Sequence, residues 1–249
     1  TSKITRIFYL KTNAIVNPNI SIFIPVYNEV DKIEFLGHSI ISAMQGQNYE
    51  VILVNDGSTD GSTEKLNAWC SKHPNFRTIH FKKNEGQTAA MDAGFKHAMG
   101  KYVVSMDADM QNDPADIPKL LEGLNSYDMV CGWRQKRNDP WIKRISSIVA
   151  NSIRNKLSQE AIKDTGCSLK AYRRQCFNQI KLYNGMHRFL PTLFKMEGFT
   201  VTEIIVNHYP RRFGKSKYGI SNRAFRAFID LLVVRWMKKR KLTYEVDND

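Results

Sequence analysis

Short apolar runs alternate with amphipathic stretches through the first half of the chain. The runs are rich in Val and Ile and are bounded by Gly, Pro or Asp, which is typical of buried parallel strands. Five strands are predicted, at residues 20–24, 50–54, 76–81, 102–106 and 128–131. Four helices are predicted between them, at residues 30–45, 62–73, 87–99 and 114–124. This alternation predicts a doubly wound α/β sheet.

Residues that commonly cap helices stand at the start of three of the predicted helices. They are Asp31, Ser62 and the pair Asp113–Pro114. Short polar side chains can accept hydrogen bonds from the first amides of a helix, and proline suits the first helical position. We therefore expect helices to begin at these three places.

Polar and acidic residues follow the first four predicted strands. In chain order these segments are Pro25-Val-Tyr-Asn-Glu29, Asn55-Asp-Gly-Ser-Thr-Asp60, Asn84-Glu-Gly-Gln87 and Asp107-Ala-Asp-Met-Gln111. Open α/β sheets bind ligands at the carboxyl ends of their strands, so the segments are expected to converge on one site. Neither G-x-G-x-x-G nor G-x-x-x-x-G-K-[ST] follows a strand, which argues against a dehydrogenase and a P-loop NTPase.

The pair of Asp107 and Asp109 is the most specific chemical feature of the chain. Two carboxylates separated by one residue can reach a single hard cation, and Mg²⁺ and Mn²⁺ favour oxygen ligands that they share with substrate phosphates. Gln111 places an amide oxygen at the same spacing. An acidic loop after a strand is common, and it is the position in this strand order that favours a metal site.

Basic residues outnumber acidic ones, 37 to 24, and they are concentrated in two segments. Residues 211–242 contain eleven Lys and Arg against one acid, and residues 133–156 contain seven against one. Such segments favour a polyanionic surface or phosphate-bearing ligands, with a solvated face as the alternative. The four scattered cysteines predict free thiols, and a composition with 42% hydrophobic and 24% charged residues excludes a disordered chain.

The strand-end segments together resemble family 2 glycosyltransferases, which have the A-type nucleotide-sugar fold. Two later segments, Asp164-Thr-Gly-Cys-Ser-Leu-Lys-Ala-Tyr-Arg-Arg174 and Arg212-Phe-Gly-Lys-Ser-Lys-Tyr-Gly219, are similar to the polyprenyl-phosphate branch of that family. This branch includes dolichol-phosphate mannosyltransferase and undecaprenyl-phosphate aminoarabinose transferase. The resemblance runs from about Ile20 to Trp236.

The resemblance implies a mixed, mainly parallel sheet and an inverting, metal-dependent enzyme. The implied reaction moves a sugar from a UDP- or GDP-sugar to a polyprenyl phosphate, such as undecaprenyl or dolichyl phosphate, in cell-envelope polysaccharide biosynthesis. Asp107, Asp109 and Gln111 are expected to hold Mg²⁺ or Mn²⁺, which neutralises the leaving diphosphate. The expected donor-binding residues are Pro25, Tyr27, Glu29, Asp56, Asn84, Gly86 and Asp107. A simple turn at residues 55–58 is the alternative to a donor site there.

A set of mainly basic residues is expected to bind the acceptor phosphate or the diphosphate. Its members are Arg134, Arg144, Arg212, Lys215, Ser216 and Lys217. Asp107, Asp109 and Asp164 are the expected catalytic residues. A phosphate acceptor needs no strong base, so Asp164 is expected to orient the donor sugar or an arginine. The alternative is a family 2 enzyme with a saccharide or other hydroxyl acceptor, in which Asp164 is the base.

Three basic residues outside that set, Lys170, Arg173 and Arg174, are expected on a solvated helix face. Two further readings of the chain are disfavoured. A sugar-phosphate nucleotidyltransferase needs a glycine-rich basic loop after the first strand, which the segment 25–29 is not. No nucleic-acid partner is expected, because carboxylates at four strand ends would repel phosphates.

The stretch 220–241 combines apolar and basic residues at helical spacing. Its apolar stripe is Phe225, Phe228, Ile229, Leu232 and Trp236. The pattern predicts an interfacial helix on an anionic leaflet, with a helix packed on the sheet as the alternative. We therefore expect a catalytic domain at 1–219 and a basic helix with an acidic tail at 220–249.

The expected location is peripheral, at the cytoplasmic face of a membrane, with the membrane surface or a membrane protein as partner. No apolar run in the sequence approaches the ~20 residues of a membrane span. Many bacterial relatives continue into transmembrane helices after this point. The chain is therefore expected either to be a peripheral member or to have been cut before a membrane region.

Overall fold

The computed structural model describes residues 17–135, 162–210 and 220–242, together with Tyr244 and Asp247, and side chains in the last range from Ile229 onward. These residues contain a seven-stranded sheet in the order β3-β2-β1-β4-β6-β5-β7. Its strands are β1 Ile20–Val26, β2 Tyr49–Asn55, β3 Phe76–His80, β4 Tyr102–Ser105, β5 Met129–Trp133, β6 Lys170–Arg173 and β7 Val201–Ile205. The five strands predicted from the apolar runs are all present.

Strand β6 runs against the direction of its neighbours. It pairs antiparallel with both β4 and β5, whereas the other neighbouring strands of the sheet pair in parallel. Ser105 at the end of β4 is therefore paired with Lys170 at the beginning of β6. The loop that leads into β6 consequently arrives at the same sheet edge as the segment that leaves β4. The sheet is mixed and mainly parallel, as expected.

Helices cover both faces of the sheet. They are α1 Ile33–Ala43, α2 Ser62–Lys72, α3 Gln87–His97, α4 Ile117–Gly123, α5 Leu190–Met196 and α6 Ile220–Arg240. Alternate residues of β1 separate the two cores: Ile22 and Ile24 lie in the cluster with α1, α2 and α4, and Phe23 lies in the cluster with α3 and α5. A buried strand with apolar residues on both faces is what a three-layer α/β fold requires.

Only one of the three predicted helix starts has the expected cap. Asp113 accepts a hydrogen bond from the amide of Ala115, and Pro114 begins a short 3₁₀ turn ahead of α4. Ser62 is inside the first turn of α2, and Asp60 instead accepts its amide and hydroxyl. Asp31 lies within a 3₁₀ turn that precedes α1. Local sequence could not separate Asp60 from Ser62, because both residue types favour helix starts.

The edge of the sheet opposite the site is held together by the buried carboxylate of Glu50. It accepts hydrogen bonds from Ser21 Oγ at 2.6 Å, from the Met99 amide at 2.9 Å and from Arg77 Nε at 2.8 Å. Glu50 is 3% exposed. The carboxylate therefore links β1, β2, β3 and the connection that follows α3.

Substituting Glu50 with alanine is expected to lower the free energy of unfolding by about 3 kcal/mol, because Arg77 and the Met99 amide would lose a buried charged partner. Urea titration followed by circular dichroism measures the change. Glu122→Ala is the control, because Glu122 is exposed. Equal unfolding midpoints for the two variants would contradict this role of Glu50.

Candidate functional site

The segment after β4 carries the two carboxylates and the amide predicted to hold a cation. Gln87, the first residue of α3, donates Nε2 to Asp107 Oδ1 at 3.1 Å, and the Gln111 amide donates to Asp109 Oδ1 at 3.1 Å. Met110 between them has φ 63°, a left-handed conformation that is uncommon for a residue with a side chain. Backbone strain of this kind is concentrated at functional sites.

The donor atoms of this segment are of the type that a hard divalent cation prefers. The carboxylates of Asp107 and Asp109 are joined by the amide oxygen of Gln111, whose Nε2 is directed to the Tyr209 carbonyl at 3.4 Å. No cluster of three or more His, Cys, Asp or Glu side chains suited to a metal occurs among the described residues. Two carboxylates and an amide would leave positions on a bound Mg²⁺ or Mn²⁺ for water and substrate phosphates. The residues fit the expected ion.

Asp107 ionises less readily than an ordinary carboxyl. Burial raises the pKa of Asp107 to about 6, and the neighbouring charge of Asp109 adds to the rise. A hydrogen bond from Ser168 and the positive charges of Lys170 and Arg134 act in the opposite direction. A divalent cation can therefore bind to Asp107 only when the carboxyl group of this residue is ionised.

Divalent-cation affinity is therefore expected to weaken about tenfold per pH unit below pH 6, because the protonated carboxyl of Asp107 cannot act as a ligand. The raised pKa places the change between pH 5 and 7, above the range of an ordinary aspartate. Mn²⁺ titration followed by electron paramagnetic resonance at pH 5, 6 and 7 measures it. In Asp107→Asn the slope should disappear, and a flat affinity in the unsubstituted protein would contradict the assignment.

The loops after β1 and β2 are hydrogen-bonded to each other at the carboxyl edge of the sheet. Asn28 has φ 54°, and its Oδ1 accepts the Thr59 amide at 2.8 Å while its own amide donates to Ser58 Oγ at 3.0 Å. The Glu29 amide donates to Ser62 Oγ, and the Glu29 carboxylate pairs with Lys32. The strand β1 runs to Val26, two residues beyond the predicted end, so Pro25 lies within the strand while Tyr27 and Glu29 lie on the loop that follows.

Asp56 organises the loop that leads into α3. Its carboxylate accepts the amides of Glu85 at 2.7 Å and Gly86 at 3.0 Å, and also Asn84 Nδ2 at 3.0 Å. Burial raises the pKa of Asp56, and the hydrogen bonds from these amides oppose the rise. Three predicted donor residues, Asp56, Asn84 and Gly86, are thus brought into direct contact. Gly86 itself has φ 90°, which a residue with a Cβ rarely adopts.

Arg134 and Asp164 form a buried bidentate ion pair. Arg134 Nε donates to Asp164 Oδ2 at 2.7 Å, and its terminal nitrogen donates to Oδ1 at 2.9 Å. Glu203 accepts the amides of Lys163 and Asp164, which holds this loop against β7. The expectation that Asp164 orients an arginine agrees with this geometry.

A short segment leads from β7 to the residues that follow β4. The Tyr209 amide donates to the Gln111 carbonyl at 3.0 Å, and the Tyr209 hydroxyl donates to Asp113 Oδ2 at 2.9 Å. The Asn207 amide donates to Asp116 Oδ2 at 2.6 Å. These hydrogen bonds hold residues 207–209 beside the segment that follows β4. The predicted residues Arg144, Arg212, Lys215, Ser216 and Lys217 lie outside the described residues.

Sequence reasoning was wrong about the solvated helix face and missed four residues at the site. Lys170 is buried at the beginning of β6, and Arg173 donates to the Leu124 carbonyl, which leaves Arg174 as the exposed member. The missed residues line a cavity with Asp107 and are Gln87, Lys170, His187 and Arg188. Gln87 and Lys170 stand inside recognised segments, whereas His187 and Arg188 lie in a turn without any distinguishing pattern.

The chain matches the model of "Glycosyl transferase family 2" over residues 21–181. It belongs to this family. The match covers β1 to β6 and so includes each predicted donor and metal residue, together with Arg134 and Asp164.

Curated relatives of this family 2 glycosyltransferase include enzymes named for polyprenyl-phosphate substrates. The chain is 36% identical over 230 residues to dodecaprenyl-phosphate galacturonate synthase of Rhizobium johnstonii, covering 89% of this chain and 68% of that protein. It is 37% identical over 206 residues to undecaprenyl-phosphate 4-deoxy-4-formamido-L-arabinose transferase of Edwardsiella ictaluri, covering 81% of this chain and 63% of that protein. The chain thus spans about two thirds of the length of these relatives.

Solved structures share the fold at low sequence identity. Glucosyl-3-phosphoglycerate synthase of Mycobacterium tuberculosis has a TM-score of 0.71 at 17% identity, covering 88% of this chain and 80% of its own. A mannosyltransferase of Pyrobaculum calidifontis, in complex with GDP-mannose and Mn²⁺, has a TM-score of 0.62 at 20% identity, covering 92% and 66%. These likenesses show the A-type glycosyltransferase fold.

Proposed function

We propose that the protein is an inverting, metal-dependent glycosyltransferase that transfers a sugar from a UDP- or GDP-sugar to a polyprenyl phosphate. The observation that carries the proposal is that the Asp107–Gln111 segment and the Arg134–Asp164 pair lie at one sheet edge, close enough for the charge of Arg134 to act on Asp107. The names of the curated relatives support the lipid acceptor, because they are dodecaprenyl- and undecaprenyl-phosphate enzymes.

The donor is proposed to bind across the loops after β1 and β2. Pro25 at the end of β1, the loop with Tyr27 and Glu29, and the loop held by Asp56 lie side by side at the carboxyl edge of the sheet, which supports a nucleoside site there. Bound Mg²⁺ or Mn²⁺ on Asp107, Asp109 and Gln111 would neutralise the departing diphosphate. Solved neighbours support this arrangement, since one was obtained with Mn²⁺ and UDP-glucose and another with Mn²⁺ and GDP-mannose.

The proposed chemical step is a single displacement at the anomeric carbon. A phosphate oxygen of the acceptor forms the new bond to this carbon while the bond to the nucleoside diphosphate breaks on the opposite side, which inverts the configuration. An ionised phosphate has no proton to lose, so the site needs positive charge to hold the phosphate more than it needs a general base. Arg134 would supply positive charge to the acceptor side, with Asp164 fixing its orientation.

The Arg134–Asp164 geometry favours a phosphate acceptor over a hydroxyl acceptor. Both oxygens of Asp164 accept hydrogen bonds from the guanidinium of Arg134. A carboxylate held in this way is a poor choice for taking a proton from a sugar hydroxyl, because proton transfer would break a buried ion pair. The same geometry suits a side chain that positions an arginine.

Helix α6 is proposed to lie on the cytoplasmic surface of a membrane. Leu231 and Val234 are buried in a cluster with Met186, Phe189 and Leu193, which fixes one face of the helix. The opposite face exposes Ile229, Leu232, Val233 and Trp236, with Lys238–Arg240 in its last turn. No helix among the described residues is both long and apolar enough to cross a bilayer. An exposed apolar face beside basic residues suits an anionic leaflet.

Replacing Trp236 with serine is expected to reduce partitioning onto anionic vesicles about tenfold, because the exposed indole would contribute apolar area at the interface. Sedimentation with vesicles of phosphatidylglycerol and phosphatidylcholine measures it. Phe35→Ser is the matched control, since Phe35 is 61% exposed and Trp236 is 62% exposed. Equal partitioning of the two variants would contradict an interfacial role for α6.

The reaction is tested with a panel of radiolabelled UDP- and GDP-sugars, Mg²⁺ or Mn²⁺, and undecaprenyl or dolichyl phosphate. Labelled product in the organic phase that disappears with EDTA is the expected result. If no lipid-linked sugar forms while the donor still binds in a metal-dependent way, the lipid acceptor is wrong. A hydroxyl acceptor with Asp164 as base then becomes the reading to test.

A further inference from the structure

The cavity beside Asp107 has three basic side chains in its lining. Its volume is about 270 Å³, and its described lining includes Lys170, His187 and Arg188. Asp107 is the one acidic residue among the described residues of this lining. A second cavity of about 650 Å³ shares Gln87, His187 and Arg188 and extends to helix α6. Arg188 therefore stands where the two cavities meet.

The turn that carries His187 and Arg188 is fixed on two sides. Thr88 Oγ1 accepts the Gly185 amide at 3.0 Å and shares a 2.7 Å hydrogen bond with His187 Nδ1, which ties the turn to α3. Met186 and Phe189 are buried against the inner face of α6. Because packing and hydrogen bonds order the backbone on both sides of Arg188, little ordering of the turn is needed when a ligand binds.

Lys170 is a buried positive charge in the lining of the same cavity. It is 4% exposed, and its Nζ donates to the carbonyls of Thr165 and Cys167. Carbonyl oxygens satisfy the protons of an ammonium group without cancelling its charge, and a buried charge is costly unless an opposite charge lies near it. Asp107 supplies that opposite charge across the cavity until its carboxylate ligates a cation.

We propose that Arg188 and His187, with Lys170 behind them, form a subsite for an oxyanion of the substrate that enters this cavity. This inference rests on the proposed function for the presence of a substrate there. Two parts of the reactants have the required chemistry: a carboxylate on the transferred sugar and the phosphate of the lipid acceptor. Arg188 would contact the oxyanion with its guanidinium, and Lys170 would complete the charge balance once Asp107 ligates the metal.

The test compares Arg188→Met with Arg174→Met, a control arginine on the exposed surface near the start of the same connection. Each variant is assayed with UDP-glucuronate against UDP-glucose, UDP-galacturonate against UDP-galactose, and a concentration series of the lipid phosphate. Loss of a charged hydrogen bond is expected to change one of these readouts about 10- to 100-fold in Arg188→Met. Arg188→Lys should recover part of the loss, because it retains the charge.

Two results support the subsite and identify its ligand. A fall in the ratio of acidic to neutral sugar transfer, at constant KM for the lipid, assigns the oxyanion to the sugar. A rise in KM for the lipid phosphate, at a constant sugar ratio, assigns it to the acceptor. If both readouts stay within about twofold of the unsubstituted protein, or if Arg174→Met changes them equally, the subsite is wrong.

Failure of the proposed function can be recognised separately. If the unsubstituted protein makes no lipid-linked sugar, calorimetry with UDP-glucuronate, UDP-glucose and farnesyl phosphate still tests the subsite directly. Weaker binding to Arg188→Met than to Arg174→Met of farnesyl phosphate, or of UDP-glucuronate relative to UDP-glucose, would support the subsite without transfer. Equal binding of all three probes to the two variants would overturn it.

Discussion

Asp109→Asn is expected to lower sugar transfer about a thousandfold and to leave the fold intact, because an amide is a much weaker ligand than a carboxylate for a cation that stabilises a leaving diphosphate. Asp109 lies after β4 in a segment held by hydrogen bonds of Gln111 and Tyr209, so the backbone should persist. Initial rates of lipid-linked product formation measure the loss, and Mn²⁺ titration should show weaker binding in parallel. Circular dichroism and the thermal midpoint report the fold.

Asp92→Asn is the matched control for this substitution. Asp92 is on α3 and pairs with Lys96 at 2.6 Å, in a half-exposed position away from the cation site. The substitution Asp92→Asn removes the same charge by the same chemical change. It is expected to leave transfer within about twofold of the unsubstituted rate, as surface substitutions usually do. Transfer at the unsubstituted rate in Asp109→Asn would remove this residue from the metal site.

The second large effect is expected at the buried pair of Arg134 and Asp164. Arg134→Met should lower the free energy of unfolding by about 3–5 kcal/mol, because it leaves the Asp164 carboxylate buried without its bidentate partner. Transfer to the lipid phosphate should fall as well, since the proposed acceptor side loses its described arginine. Urea titration and initial rates measure the two losses separately.

A double variant separates stability from chemistry. Arg134→Met with Asp164→Leu removes both charges, so its unfolding free energy should be higher than that of Arg134→Met alone, while transfer should stay low. Full recovery of transfer in the double variant would show that Arg134 acts only through folding.

Asp164→Asn separates a positioning residue from a base. An asparagine oxygen still accepts one hydrogen bond from Arg134, so transfer to a phosphate acceptor is expected to fall about tenfold, whereas loss of a general base costs about 10²- to 10⁴-fold. The pH profile of kcat/KM is the second readout. Loss of an acid limb from that profile would support the hydroxyl-acceptor reading.

The secondary structure of residues 17–133 was largely predictable because its strands are buried on both faces. A continuous apolar run such as the one in β1 is best explained as a buried strand when the helical stretches that flank it are amphipathic. The later strands β6 and β7 were not predicted. Lys170–Arg173 contains two basic residues out of four, and Val201–Ile205 alternates weakly, so neither resembles a buried strand until its partners are known.

The residues proposed to bind the cation could also be identified from the sequence alone. Asp107, Asp109 and Gln111 are neighbours in sequence, so any strand end would bring their side chains close together. The same holds for Pro25, Tyr27 and Glu29. Residue type, spacing and position after a strand were sufficient to select these two groups and to indicate a family.

The tertiary structure decided the relations between groups that are distant in sequence. The pairing of Arg134 with Asp164 spans 30 residues, and the hydrogen bond between Thr88 and His187 spans 99. Lys170 reaches the cavity because β6 is antiparallel, which brings the start of that strand to the carboxyl edge of β4. Hydrophobic periodicity indicates which face of a strand is buried. Strand order and strand direction depend on packing among all elements, so only the tertiary structure could show that these residues lie together.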